Sequence, residues 1–220
     1  MLDKTGAKVP DHEKAYRALR EMILFGELKP GQAVTIQGLV LALSMGMTPV
    51  REAIRRLTSQ GALEFKGNRR VSVPEMSLRQ WDEIAKVRLS IEPDLCRQAI
   101  GNIDDSMADR LQEIDDMLNA SIASGDVRGY LEYNTKFHME LYRMSGADVL
   151  MSIVDMLWLR GGPSLRVLLG RWGTANLPDK HAEALAAISA RDPEALAQAM
   201  AEDIRQGIDQ VRLGFSREDR

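Results

Sequence analysis

"MTPVREAIRRLTSQGALEFKGNRRVSV", residues 47–73, sets five arginines and a lysine beside a proline and an apolar stripe, in a chain whose net charge is −3. Thr48 followed by Pro49 predicts a helix start, with Thr48 capping orphan N–H groups and Pro49 tolerated at the first helical position. Val50, Ala53, Ile54 and Leu57 then recur three and four apart, so one face of the helix is apolar. Arg51 and Arg55 share a different face, one turn apart. Gly61 predicts the C′ end. Beyond it "ALEF" and "RVSV" are short strand-like runs around the turn-forming "KGNR". The segment therefore reads as a helix that shows arginines to solvent, followed by a hairpin with a basic tip.

The rest of the chain places this unit. Residues 12–25 carry Tyr16, Leu19 and Ile23 at helical spacing, and "GELKPGQ" breaks the pattern. "TIQGLVLALS" opens on Thr35 as a cap and predicts a second, short helix; "MG" makes a tight turn into the helix from Thr48. Three helices, a tight turn before the third, then a hairpin is the order of a winged helix-turn-helix. Pro74 marks the edge of this domain, 1–75. Residues 76–220 read as helices throughout, which predicts an all-α bundle. The last helix is signalled by Asp192 as cap and Pro193 at its first position. The fold class expected is mostly α: a winged helix-turn-helix followed by a helical bundle.

Composition agrees. Aromatic residues make up 5% of the chain while Met, Ala and Leu abound, which favours helices over a β-sandwich. No apolar run approaches the roughly 18 residues of a membrane span. The opening "MLDKTGAKVPDHEK" lacks the apolar core of a signal peptide, and Cys96 is the single cysteine, so a cytoplasmic protein without disulfides is expected, Cys96 being a small buried apolar residue. Charge is uneven: residues 1–75 hold 12 Lys+Arg against 8 Asp+Glu, and residues 76–220 hold 17 against 24. A basic first third on an acidic remainder points to a nucleic-acid module joined to something else.

In the bundle, four polar residues interrupt apolar stripes. Asn134 and His138 lie one turn apart, in line with Leu131 and Leu141. His181 is in line with Ala184, Leu185 and Ile188. Asp203 falls on the apolar face of the last helix with Leu196, Ala199 and Met200. A carboxylate on a buried face is costly unless it is paired or binds a metal. Imidazole with carboxylate suits Zn, Ni or Mn. The plainer alternative is ordinary core hydrogen bonding, with Asp203 paired to an arginine such as Arg88.

"TPVREAIRRLTSQGALE" resembles the core motif of GntR-type transcriptional regulators. "RLSIEPDLCRQAI", "NTKFHMELYRMSG", "KHAEALAAISARDPEALAQAM" and "AEDI" are similar to successive motifs of the FadR-like, FCD-type effector domain of that family. The resemblance covers nearly all of residues 13–213. It implies a homodimer on a palindromic double-stranded DNA operator, with an all-helical domain that binds a small organic acid and often a divalent metal. The DNA-binding residues assigned on this basis are Gln37, Thr48, Arg51, Arg55, Lys66, Arg69 and Arg70. The metal set is Asn134, His138, His181 and Asp203, and Arg88 is the counter-charge expected for an effector carboxylate. The chain departs from the family pattern at Met47 and Arg70, where arginine and glycine are usual, and at Asn134 and Asp203, where aspartate and histidine are usual. A metal-dependent enzyme on the bundle is the alternative function, although no nucleophile–base pair or phosphate loop is visible. A purely structural bundle is a third possibility.

Overall fold

The computed structural model describes residues 9–67, 69–172 and 178–218; within it, side chains are described except at 163–172 and 216–218. The chain runs α1 (Asp11–Leu24), β1 (Val34–Thr35), α2 (Ile36–Leu43), α3 (Met47–Ser59), β2 (Glu64–Phe65), β3 (Arg70–Ser72), α4 (Leu78–Ala99) and a 3₁₀ turn (Ile100–Asn102). It continues through α5 (Asp105–Ser124), α6 (Val127–Arg143), α7 (Asp148–Trp172), α8 (Lys180–Ser189) and α9 (Pro193–Glu218).

The apolar stripe of α3 does what its spacing predicts. Val50, Ala53, Ile54 and Leu57 are each at most 2% exposed, and they share a core with Ala15, Leu19 and Ile23 of α1. Burying each large aliphatic side chain contributes about 1.5–3 kcal/mol. The helix starts two residues earlier than expected. Gly46 is its N-cap and makes no side-chain cap bond, so Thr48 lies within the first turn and is exposed. Pro49 still fits there, because the first four N–H groups of a helix have no internal partner. Thr35 does cap α2, accepting from Gly38 N at 3.0 Å.

At the other end of α3, Gly61 has φ +70°. Its N–H donates to Thr58 O at 3.0 Å and that of Ala62 to Leu57 O at 3.0 Å, a double bond pattern that closes the helix. A Cβ at Gly61 would come no closer than 3.6 Å to Arg160 Nε, so space is available and the backbone conformation is the constraint. The left-handed region costs an L-residue about 1–2 kcal/mol. Gly61→Ala should lower the unfolding free energy by that amount, read as a fall in the urea midpoint; an unchanged midpoint would mean the turn relaxes elsewhere.

The wing has three strands, in the order β1-β3-β2 and antiparallel, with Val71 opposite both Val34 and Phe65. The sequence shows two of them, longer than observed; β1 is two residues long and carries no periodicity of its own. Lys66 N donates to Arg70 O at 2.9 Å, and Gly67 takes φ +72° at the tip. The expected "KGNR" turn includes Asn68, which lies outside the described residues.

Helices α4–α9 pack around Leu95, Cys96, Leu111, Phe137, Leu141 and Trp158. Cys96 is fully buried, as expected. Ser77 and Gln80 form a capping box on α4, which continues through Pro93. Asp192 Oδ1 accepts from Glu194 N and Ala195 N at the start of α9. The winged unit is seated on the bundle: Leu131 of α6 and Leu159 of α7 belong to its core, and Arg20 pairs with Asp155 at 3.1 Å.

Candidate functional site

Every helix of the bundle delivers a side chain to one buried polar cluster. His138 of α6 and His181 of α8 are 0% and 3% exposed. Their Nε2 atoms lie 3.3 Å apart. Asp203 of α9 brings Oδ2 to 3.0 Å from His138 Nε2 and Oδ1 to 3.9 Å from His181 Nε2. Behind each ring stands a partner for its other nitrogen. His181 Nδ1 is 3.2 Å from Asp115 Oδ1, on α5, and the ring stacks on Phe137 with centroids 4.0 Å apart. His138 Nδ1 is 2.8 Å from Tyr142 Oη, which in turn donates to Glu92 Oε2 of α4 at 2.8 Å. Glu92 is held by Arg88 at 2.6 and 3.1 Å and by Trp158 Nε1 of α7 at 3.1 Å.

These partners decide where the protons sit. Burial and the charge of Glu92 keep the Tyr142 phenol well above its ordinary pKa, so it holds its proton and gives it to Glu92. Its oxygen is then placed to accept from His138 Nδ1–H, the tautomer that would offer His138 Nε2 to a metal. Asp115 Oδ1 is likewise placed to accept from His181 Nδ1–H, the arrangement that would offer His181 Nε2 to a metal. Burial pushes the His138 imidazole below its ordinary value, against the pull of Asp203. Burial works to raise Asp203, but the hydrogen bond and charge of His138, with the charges of His181 and Arg88, outweigh it and hold the carboxyl at about 2. Two imidazoles and one carboxylate thus converge, with ligand atoms within 4.8 Å of one another. Lone pairs facing each other repel unless a cation lies between them. The donor set suits a divalent metal such as Zn, Ni or Mn, and the outward hydrogen bonds are the kind that orient metal-bound histidines. Without a metal, a proton on His138 Nε2 would bridge to Asp203, and metal binding would release it.

Asn134 lines a cavity of about 240 Å³ that opens onto His181 and Asp203, together with Tyr130, Lys180 and Gln206. Arg88 does not line it. Arg88 is 8% exposed, and its guanidinium is committed to Glu92 and stacked over the Trp158 ring at 4.4 Å. Sequence reasoning missed Asp115 and Glu92. Both carried a signal: Asp115 falls four after Leu111 and three before Leu118, and Glu92 four before Cys96, each on an apolar stripe.

The exposed side of the winged unit shows a second pattern. Gln37, Thr48, Arg51, Arg55, Lys66, Arg69 and Arg70 are all exposed. The arginines of α3 divide in two. Arg56 turns back onto α1, donating to Glu13 at 2.9 Å and lying 3.5 Å over the Tyr16 ring. Arg51 and Arg55 have no acidic partner among the described residues. Lys66 pairs with Glu64 at 2.9 Å, so part of its charge is already answered.

With this geometry in view, the family models are decisive. Residues 12–73 match the model for bacterial regulatory proteins of the gntR family, and residues 83–206 match the FCD domain. The chain belongs to the GntR family. One GntR relative, the HTH-type transcriptional regulator McbR of Escherichia coli (strain K12), is 33% identical over 194 residues, covering 86% of this chain and 87% of McbR. The solved structure of E. coli McbR/YncC superposes with a TM-score of 0.89 at 30% identity, over 94% of this chain and 100% of that one. A GntR regulator structure from Rhodococcus sp. RHA1 shares the fold, with a TM-score of 0.73 at 22% identity over 92% and 97% of the two chains. The HTH-type transcriptional repressor RspR of E. coli (strain K12) is 22% identical over 92% of this chain and 90% of its own. The protein is thus a GntR-type transcriptional regulator and not an enzyme, which disposes of the enzyme alternative. No helix among the described residues is long and apolar enough to cross a membrane.

Proposed function

We propose that this regulator is a cytoplasmic homodimer that represses transcription from a palindromic operator and is released by a small organic acid bound in the bundle at a divalent metal. The boundary between reader and sensor is placed at 75/76. The observation that carries the sensing half is the meeting of the Nε2 atoms of His138 and His181 with the Asp203 carboxylate beside a cavity. A metal held there would leave open positions for an effector carboxylate. Lys180 and Asn134 on the cavity wall would meet the rest of the molecule, and Arg88, behind the histidines, would add positive field rather than contact. Repression is supported by the resemblance to RspR.

DNA reading is assigned to α3 and the wing. Arg51 sits in the first turns of a helix that would enter the major groove, where arginine donates two bonds to guanine. Arg55, Thr48 and Gln37 would flank it, and Lys66, Arg69 and Arg70 would meet phosphates, which position without specifying. Two winged units on a two-fold axis double those contacts and match half-sites of the same symmetry. Arg51→Ala should weaken operator binding by about 1–3 kcal/mol and relax one base position, while Lys66→Ala should weaken all sequences and flatten the salt slope by about one unit. Arg56→Ala is the control: it should lower stability and spare specificity, because Glu13 and Tyr16 hold that side chain. Gel shifts over several salt concentrations provide the check, and Arg51→Ala binding as tightly as wild type would refute the docking.

A further inference from the structure

A second cavity, of about 370 Å³, lies where the winged unit meets the bundle. It is larger than the one beside the histidines, and no residue of the cluster lines it. The end of α3, strand β2, residues 73–76 and Arg160 of α7 enclose it. Two of its polar groups are unanswered. Arg160 is half-buried and has no acidic or hydrogen-bonding partner among the described residues. Its guanidinium lies over the bare backbone of Gly61, where a Cβ would stand 3.6 Å from Nε and 3.7 Å from Cζ. Thr58 Oγ1 is buried without a hydrogen-bond partner. A buried hydroxyl without a partner is rare because it forfeits its hydration with nothing in return. The remaining wall is apolar: Leu63, Val73 and Met76 are buried, and Phe65 is 47% exposed at the mouth.

We propose that this junction cavity is a second ligand site, taking a monocarboxylate with an apolar body. A guanidinium fork matches a carboxylate with two parallel bonds, and a half-buried one does so with less screening. The Thr58 hydroxyl can donate to the same group, and the body of the acid covers Leu63 and Met76. The volume is within the usual range for small-molecule sites. The rim sets the charge. Glu64, already engaged by Lys66 and Ser72, and exposed Glu75 stand around the opening. They repel a second negative charge on the ligand, so a monoanion is preferred over a dicarboxylate. A ligand here touches the last turn of α3 and the wing on one side and α7 on the other.

The test uses the full chain freed of metal by chelation, titrated calorimetrically with benzoate and hexanoate, and with succinate and hexylamine for comparison. Saturable binding of at least one monocarboxylate is expected, at least tenfold tighter than succinate or hexylamine. It should weaken tenfold or more in Arg160→Gln and several-fold in Thr58→Val, and persist in His138→Ala plus His181→Ala. Melting curves confirm that each variant is folded; Thr58→Val keeps the test standing should Arg160→Gln fail to fold. No saturable binding of either acid, binding indifferent to both Arg160→Gln and Thr58→Val, or binding lost only in the histidine variant overturns the proposal. That last result would assign the acid to the histidine cluster and leave the sensing role proposed above intact.

Discussion

Arg88→Met will destabilise the protein by about 3–5 kcal/mol, the cost expected when one partner of a buried ion pair is removed. Glu92 is 0% exposed, and Arg88 meets it with two bonds, at 2.6 and 3.1 Å. Tyr142 and Trp158 also donate to the same carboxylate, but neither brings a charge. Without Arg88 the carboxylate is left ionised in the core, or must take up a proton and lose an acceptor. Met has a similar volume, so the loss reports charge rather than a cavity. For a chain of this size the melting temperature should fall by roughly 10 °C. Adding Glu92→Gln should restore part of the loss, because the amide oxygen can still accept while the charge is gone, and the double-mutant cycle isolates the pair. A fall under 1 kcal/mol in Arg88→Met would show that Tyr142 and Trp158 suffice for Glu92.

Adding Zn, Ni or Mn to chelated protein will raise its melting temperature in a concentration-dependent way. A ligand at one hundred times its Kd, bound only to the folded state, stabilises by about 2.7 kcal/mol, or roughly 5–10 °C here. His138→Ala plus His181→Ala should abolish the response. Tyr142→Phe should weaken it, since His138 Nδ1 then loses the acceptor that fixes its tautomer. The pH dependence has a definite sign. A ligating imidazole must be neutral, and burial has already moved His138 below its usual value near 6.5. Affinity should therefore hold through neutral pH and fall only as pH drops through that lowered value, while Asp203, held at about 2, stays ionised throughout. Elemental analysis of protein purified without an affinity tag gives the independent reading. No bound metal, and no melt response to any of the three ions, would reduce the cluster to a proton-bridged core network.

How much of this was legible in the sequence follows from range. The face of α3, the Gly61 stop, the Thr35 cap and the Asp192–Pro193 start depend on residues three or four apart, so a linear pattern carries them. The interruptions at His138, His181 and Asp203 were readable for the same reason: each breaks an apolar period on its own helix. Packing those faces together then brings the three into one cluster, although the sequence does not say which nitrogen faces it. That depends on Tyr142, Asp115 and Glu92, which approach across separations of up to 66 residues. Strand β1 exists only because β3 is beside it, and Gly46 rather than Thr48 caps α3 because the tight turn from α2 sets where the chain enters the helix. Arg51, Arg55 and Arg56 are alike in sequence. Only the position of α1, with Glu13 and Tyr16, turns Arg56 into a packing residue and leaves the other two facing outward. Local periodicity determined the elements and their buried faces; the pairing of charges and protons was decided by side chains that meet only after the helices have packed.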